Sequence, residues 1–366
     1  MKKLIFNFKS KEAKKLKNHK NILGGKGANL AEMGRLGLPV PPGFTISTEA
    51  CHLFYQNKKK LNSKIIKEIN KELLLIEKEA KKKFGNLKNP LLVSVRSGAR
   101  VSMPGMMDTI LNLGLNEKTV EGFAQQTKNP RFSWDSYRRF IQLFGKVVFG
   151  VNDEKFDHVL DSAKEIQGVT DDSKLNVESL KKIVAEYKKI CENHTKRKFP
   201  DTPNEQLGLA IEAVFKSWMG ERAVVYREKN GITKDIANGT AVNVVTMVFG
   251  NMGDDSATGV VFTRNGHNGK REIEGEYLTN AQGEDVVAGV RTGKNVELLK
   301  NEMPKSHKEL SNACAKLEKH FREPQDIEFT IEQGKFYLLQ TRTAKMSAGA
   351  LVKTSVDMVK EKLIDR

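Results

Sequence analysis

Residues 325–342 constrain the fold most. Two strand-like runs, Gln325-Asp326-Ile327-Glu328-Phe329 and Tyr337-Leu338-Leu339-Gln340-Thr341-Arg342, flank a Glu-Gln-Gly turn that ends at Gly334. Such runs around a glycine turn predict a β-hairpin. Side chains alternate along a strand, so Asp326 and Glu328 share a face, and so do Gln340 and Arg342. Two carboxylates, an amide and a guanidinium on neighbouring strands suit a divalent metal carrying phosphates. Carboxylates hold Mg²⁺, which keeps part of its shell for phosphate oxygens, and arginine forks onto the oxygens that remain. Taken alone, the same residues also describe a surface hairpin with solvated charges. Register separates the arrangements. A two-residue Gln333-Gly334 turn pairs Glu328 with Leu339 and sends Gln340 to the opposite face. A three-residue loop over 332–334 pairs Asp326 with Gln340 and gathers all four polar groups, with Gly334 as the left-handed residue of a bulged turn. The second is the expected register.

At 366 residues the chain is long enough for two or three domains and a sizeable core. It is 39% hydrophobic, and no apolar run is long enough to span a membrane. The start, Met1-Lys2-Lys3-Leu4-Ile5-Phe6, has no signal-peptide pattern. Three cysteines, Cys51, Cys191 and Cys314, form no Cys-x-x-Cys and argue for a reducing cytoplasm without disulfide or zinc. The formal charge of +17 raises polyanion binding. The lysines are dispersed on helical faces, as in 58–60 and 81–83, without an aromatic-interleaved basic patch. The expectation is no nucleic-acid partner and no membrane partner.

Along the chain, residues 1–20 predict an edge strand and a loop. Leu23-Gly24-Gly25-Lys26-Gly27 leads into an apolar helical pattern, which sets backbone N–H groups and a lysine at a helix start, a ready anion site, or else a tight turn. It is not a Walker A box, because the order G-x-x-x-x-G-K-[ST] is absent. Residues 45–47 predict a strand and 49–84 exposed amphipathic helices. Leu91 to Ala99 reads as a buried strand ending in Arg96 and a glycine turn, where Arg96 meets either a ligand or a structural carboxylate. Met103, Met106 and Met107 in the following loop read as packing filler, although methionines also wall adenine pockets. From 116 to 200, Phe132, Trp134, Tyr137, Phe140, Ile141 and Phe144 recur at helical spacing, and further helices follow. Arg138-Arg139 reads as a solvated helix face, or as a docking or phosphate surface. Residues 205–228 predict one helix, and strands follow at 241–248 and 259–264. The Gly250 to Gly259 segment between them reads as a glycine-rich hairpin loop able to fold over phosphates and to move. Glu276 to Leu278 and Gln282 to Val287 predict more sheet, with closing helices at 305–321 and 345–364.

Together these stretches resemble the N-terminal, nucleotide-binding part of pyruvate phosphate dikinases. The residues that carry the resemblance are Leu23 to Met33, Leu38 to Ala50, Leu91 to Leu115, Ala241 to Arg264, Gly275 to Thr292 and Gln325 to Arg342. The resemblance implies an α+β, ATP-grasp fold of two lobes that hold ATP and metal, with an inserted helical subdomain. Its expected division is a first lobe over 1–115, the insertion over 116–200, a second lobe over 201–345 and a C-terminal helix over 346–366. By position, Lys26 and Arg96 bind the ATP phosphates, and Asp326 and Glu328 hold Mg²⁺ or Mn²⁺. Gln340 and Arg342 stabilise the transferring phosphoryl groups. Thr258 and Gly259 belong to a loop that closes over them, and the strand Asn243 to Val248, with Val245 and Met247, and the Glu284 region line the adenine side. The implied reaction passes phosphate from ATP, with inorganic phosphate, to a histidine on a swivelling domain and then to pyruvate, giving phosphoenolpyruvate, AMP and diphosphate. That phosphohistidine domain and the pyruvate-binding barrel belong to the full enzyme or to a split partner chain. None of the seven histidines sits in a Gly-rich Thr-Ser-His-Ala context. The resemblance therefore leaves a trimmed fragment or a split gene product, with a non-catalytic nucleotide-binding remnant docked on a partner chain as the alternative. Val245 replaces a usual Gln and Ala257 a usual Gly.

Overall fold

The computed structural model describes residues 3–14, 16, 19–287 and 291–366, without the side chains of Lys14, Glu284 and Val287. The chain is α+β, with helices and antiparallel sheets in two compact units. One unit comprises Met1–Ala28 with Pro42–Met247, and the other Asn29–Pro41 with Val248–Arg366.

The first unit is built on a five-stranded antiparallel sheet. Its strands are β1 (Ile5–Asn7), β2 (Gly43–Ile46), β5 (Val93–Ala99), β6 (Thr109–Leu113) and β7 (Thr240–Thr246), in the order β1-β2-β7-β5-β6. Two short strands, β3 (Lys83–Phe84) and β4 (Pro90–Leu91), pair apart from it. The run Thr-Ala-Val-Asn-Val-Val-Thr of β7 is buried throughout, as a central strand between two neighbours requires. Residues 201–247, expected with the second lobe, therefore belong to the first unit, because β7 completes this sheet. β5 also runs on through Gly98 to Ala99, so no glycine turn follows Arg96.

Between β6 and β7 lie helices only. The helix Pro130–Phe149 has a side-chain cap at Asn129, proline at its first position and a left-handed Gly150 at its end. Its apolar stripe, including Tyr137, Phe140, Ile141 and Phe144, is fully buried. Arg138-Arg139 is neither a solvated face nor a docking surface. Arg138 is buried, and Asp135 accepts from its Nε at 2.9 Å and its Nη2 at 2.5 Å. Arg139 Nε donates to the other Asp135 oxygen at 3.2 Å. Burial pushes the Asp135 carboxyl up, but the Arg138 and Arg139 guanidiniums outweigh it and hold it below the ordinary range. The helix expected over 205–228 is two, Pro203–Ser217 and Glu221–Lys229, with Gly220 capping the second. Met103 is buried in a cluster with Trp218, Ala223 and Ala237, against which Met106 and Met107 pack, as packing filler should.

The second unit holds β8 (Ala257–Phe262), β9 (Glu274–Thr279), β10 (Lys294–Asn295), β11 (Gln325–Glu332) and β12 (Lys335–Thr343), in the antiparallel order β10-β9-β8-β11-β12. Ile327, Phe329 and Ile331 alternate on β11 and are fully buried. The helix Pro304–Phe321 packs on β11 and β12 and buries Leu310, Ala313, Cys314 and Leu317 at helical spacing. Gly283–Val287 is a short helix rather than the expected strand. The Gln282 N–H donates to Asp285 Oδ2 at 2.9 Å, a turn-closing bond that starts the helix. β7 and β8 lie in different sheets, so residues 250–259 are not a hairpin loop. Ala257, Thr258 and Gly259 already belong to β8, and Ala257 is fully buried without a positive φ.

Cys51, Cys191 and Cys314 are buried free thiols. Burial pushes Cys51 up to about 11 and Cys191 and Cys314 up to about 12, which removes them as nucleophiles near neutral pH. Among the described residues no helix is long and apolar enough to cross a membrane.

Arg264, just past β8, is 0% exposed. Its Nε and Nη2 donate to both oxygens of Glu318 at 2.8 and 2.9 Å, and its Nη1 and Nη2 to those of Glu361 at 3.2 and 2.6 Å. One guanidinium thus ties the sheet to the helix Pro304–Phe321 and to the end of the helix Ala348–Lys360. Replacing only one partner strands the others, so Arg264→Met should cost about 3–5 kcal/mol in denaturant unfolding. Adding Glu318→Met should recover part of that loss. An Arg264→Met protein as stable as the wild type would show that the pair carries no such weight.

Candidate functional site

In the first unit the glycine run lies within the helix His19–Arg35, which breaks at Gly24 (φ 67°, ψ 173°) and restarts at Gly25. The expected glycine-led start is thus an internal restart, with Lys26 in its first turn. Glycine is needed here for close approach. A Cβ at 24 would lie 1.7 Å from the Gly98 carbonyl oxygen, and one at 27 would lie 2.6 Å from Thr45 Oγ1. The helix restart therefore lies directly against β2 and β5. Arg96 on β5 has Thr109 and Asn243 as its cross-strand neighbours. Asn243 in turn pairs with Thr45, so Arg96, Asn243 and Thr45 share one face, with Ser94 and Val245 two positions along it. Arg96 is half-buried, and its Nε is buried without a hydrogen-bond partner. Among the described residues no carboxylate meets it. Val245 is buried, and Met247, just past β7, donates its N–H to Leu92 O at 2.8 Å. Lys26, Arg96 and Val245 are thus brought to one face of the first sheet.

In the second unit the hairpin register differs from the expected one. The turn has two residues, Gln333 and Gly334, both with positive φ (48° and 71°), and Glu332 pairs with Lys335. Two such residues give the turn whose twist matches the strands, which is why the three-residue loop is not used. The extra residue is absorbed further down. A register shift between Glu328 and Phe329 leaves Leu339 as a bulge. Glu328 then opposes Gln340, and Asp326 opposes Arg342 rather than Gln340. All four polar groups still meet. Gln340 Nε2 donates to Glu328 Oε1 at 2.9 Å, and Arg342 Nε donates to Asp326 Oδ2 at 2.5 Å. Among the described residues Asp326 Oδ1 is buried without a hydrogen-bond partner.

Thr258 extends the same face. It pairs with Thr330, its hydroxyl donates to Phe329 O at 3.1 Å, and it lies 3.3 Å from Thr330 Oγ1. Gly259 is on the opposite face, where a Cβ would lie 2.7 Å from the Phe329 ring, so glycine there serves packing. Glu284 falls in the short helix, and its side chain lies outside the described residues. Residues 250–256 are tied at both ends. Phe249 N–H donates to Glu332 Oε2 at 2.7 Å, Ala281 N–H to Gly250 O at 2.9 Å, Gly334 N–H to Asp255 O at 2.9 Å and Gln333 N–H to Ser256 Oγ at 3.0 Å. Among the described residues no group of three or more His, Cys, Asp or Glu could hold a metal ion. Two carboxylates on one face, one with an unpartnered oxygen, fit an ion that completes its shell with phosphate or water.

Two polar residues escaped sequence reasoning, Thr330 in β11 and Gln282, whose buried side-chain amide has no partner on either atom among the described residues; Asn243 was expected only as part of a strand on the adenine side. For Thr330 the available signal was its place two residues from Glu328 on the same face of the strand.

Most of the chain, over residues 20–309 and 293–363, matches the family model described as pyruvate phosphate dikinase, AMP/ATP-binding domain. The chain is 51% identical over 365 residues to a pyruvate, phosphate dikinase of Clostridium symbiosum, covering all of this chain and 41% of the relative. It is 52% identical over 350 residues to one of Entamoeba histolytica, covering 95% of this chain and 40% of that protein. A chloroplastic pyruvate, phosphate dikinase 1 of Arabidopsis thaliana is 48% identical over 364 residues, with 38% of its length matched. The chain thus spans about 40% of the length of the curated relatives it matches. By that match it belongs to the family of pyruvate phosphate dikinase AMP/ATP-binding domains.

Proposed function

We infer that the chain is the ATP-handling part of a pyruvate phosphate dikinase, its two units serving as the lobes of an ATP-grasp domain and the helices of 116–200 as the insertion. In this reading it passes phosphate from ATP, with inorganic phosphate, to a histidine of a phosphohistidine domain on the same or a partner chain. Pyruvate then becomes phosphoenolpyruvate, with AMP and diphosphate released. The observation that carries the reading is the polar face of β11 and β12, where Asp326, Glu328, Gln340 and Arg342 meet and one buried carboxylate oxygen stays unpartnered. Asp326 and Glu328 would hold Mg²⁺ or Mn²⁺. The ion, when bound, neutralises charge on the phosphate chain. Arg342 and Gln340 orient those carboxylates and present donors to the transferring group, and Thr258 adds a hydroxyl on the same face. Lys26 and Arg96 bind phosphate oxygens from the first unit. Val245 and Met247 offer apolar contact to the base, and Val245 cannot form the amide hydrogen bond that glutamine would. Gly259 supports the site by packing, and Glu284 lies on the short helix that follows β9. The work of these groups is positioning and charge neutralisation rather than proton transfer. Buried thiols that stay unpaired agree with a cytoplasmic setting.

Three experiments test this. Given a separate phosphohistidine domain, ATP, Mg²⁺ and phosphate, the chain should form phosphohistidine, seen by mass as an acid-labile phosphoryl group. Binding of ATP and Mg²⁺ without that product would instead favour a non-catalytic nucleotide-binding module. Asp326→Asn with Glu328→Gln should abolish the Mg²⁺-dependent part of ATP binding in calorimetry. The melting temperature should stay near that of the wild type, since Arg342 is 47% exposed and remains solvated when its partner is neutral. A large loss of stability would assign the carboxylates a structural role. Finally, hydrogen exchange should show that ATP and Mg²⁺ protect residues 251–254, because the flanking backbone is already bonded. Equal protection in both states would mean that these residues do not close on phosphate.

A further inference from the structure

The sheet face that carries Arg96 holds a second buried donor. Asn243 is 0% exposed on β7, with Thr45 of β2 on one side and Arg96 of β5 on the other. Its Oδ1 accepts from Thr45 Oγ1 at 2.8 Å. Among the described residues its Nδ2 has no partner, and neither has Arg96 Nε. Unpaired buried donors are rare because each forfeits its hydration, and these two stand in direct register on adjacent strands. Glycine makes room for the amide. A Cβ on Gly98 would lie 2.6 Å from Asn243 Nδ2 and 3.6 Å from Lys26 Cβ, and one on Gly27 would lie 2.8 Å from Asn243 Oδ1. The amide is thus set under the restart of the helix at Gly25, where the backbone dipoles favour negative charge. Arg96 Nε, Asn243 Nδ2 and the first turn of the helix offer hydrogens. An anion with several oxygens is the acceptor that such a set fits.

We propose that Asn243 is a phosphate ligand, its Nδ2 hydrogens donating to an oxygen of the nucleotide's phosphate chain beside Arg96 Nε. This deepens the nucleotide-binding reading above and rests on it. Calorimetric titration of tripolyphosphate, of ATP with Mg²⁺ and of adenosine into the wild-type chain, Asn243→Leu and Asn243→Asp tests it. Both variants should bind tripolyphosphate and ATP about tenfold or more weaker, as the loss of a hydrogen bond to a charged group predicts. The carboxylate variant should be the weaker, and adenosine should bind all three alike. Unchanged tripolyphosphate affinity, or equal loss for adenosine and ATP, overturns the proposal, because a structural amide acts through the fold. If the variants do not fold, the side-chain amide resonances of Asn243 in the wild type decide. They should move on titration with tripolyphosphate, and resonances that stay fixed at saturation overturn the proposal. A wild-type chain that binds neither ATP nor tripolyphosphate overturns the nucleotide reading itself, and this proposal with it.

Discussion

The polar face of the second unit exists because a strand cannot turn one side chain without turning the next. Ile327, Phe329 and Ile331 are fully buried on β11, beneath the helix Pro304–Phe321. Moving them into water would forfeit apolar burial at roughly 1.5–3 kcal/mol each. That anchoring commits Asp326, Glu328 and Thr330 to the opposite face. The bulge at Leu339 does the same for β12 and keeps Gln340 and Arg342 in line with the carboxylates despite a tight turn. The chemistry of the face therefore rests on apolar packing from which it points away.

The first unit solves a similar problem by different means. Its buried donors, Arg96 Nε and Asn243 Nδ2, stand on a central region of sheet rather than near a hairpin end. What opens that region is the close passage of Gly24 and Gly27, which brings a helix start onto β5 where ordinary side chains would hold it off. Glycine acts here mainly by lacking a Cβ, whereas Gln333 and Gly334 act through their backbone angles.

Much of this was legible in the residues. The Asp-x-Glu and Gln-x-Arg spacings, the glycine-led lysine, the helical period of Phe132 to Phe144 and the filler methionines needed only local rules. What stayed hidden depends on distant parts of the chain. The hairpin register turned on a bulge that nothing in Leu339 announces, because leucine at a bulge looks like leucine in a strand. β7 reads as a buried strand wherever it lies, so its sheet could not be read from its composition. The segment 250–259 reads as a hairpin because strands flank it, but those strands pair with other partners. Gln282 to Val287 reads as a strand by composition and is a helix, with a bond from the Gln282 N–H to the Asp285 carboxylate at its start. Arg138 reads as solvated although Asp135 stands three residues before it, because burial comes from distant packing and its second partner, Asp172, comes from beyond the next helix.

The strand order of the first sheet has a consequence for the order in which the chain assembles. β2 and β5 are never neighbours; β7 lies between them and bonds to both. During synthesis the β1–β2 pair, the β5–β6 pair and the intervening helices emerge before β7 does. Until residue 246 leaves the ribosome, two incomplete sheets each carry an unpaired inner edge. Such edges readily pair with other chains. The helices of 117–195 pack on one another and on β6, all of which emerge before β7, and can form meanwhile, whereas the helix Pro203–Ser217 also packs on β7 and the sheet waits for its last strand. The vulnerable interval in the life of this unit is thus the time between the synthesis of β6 and the insertion of β7.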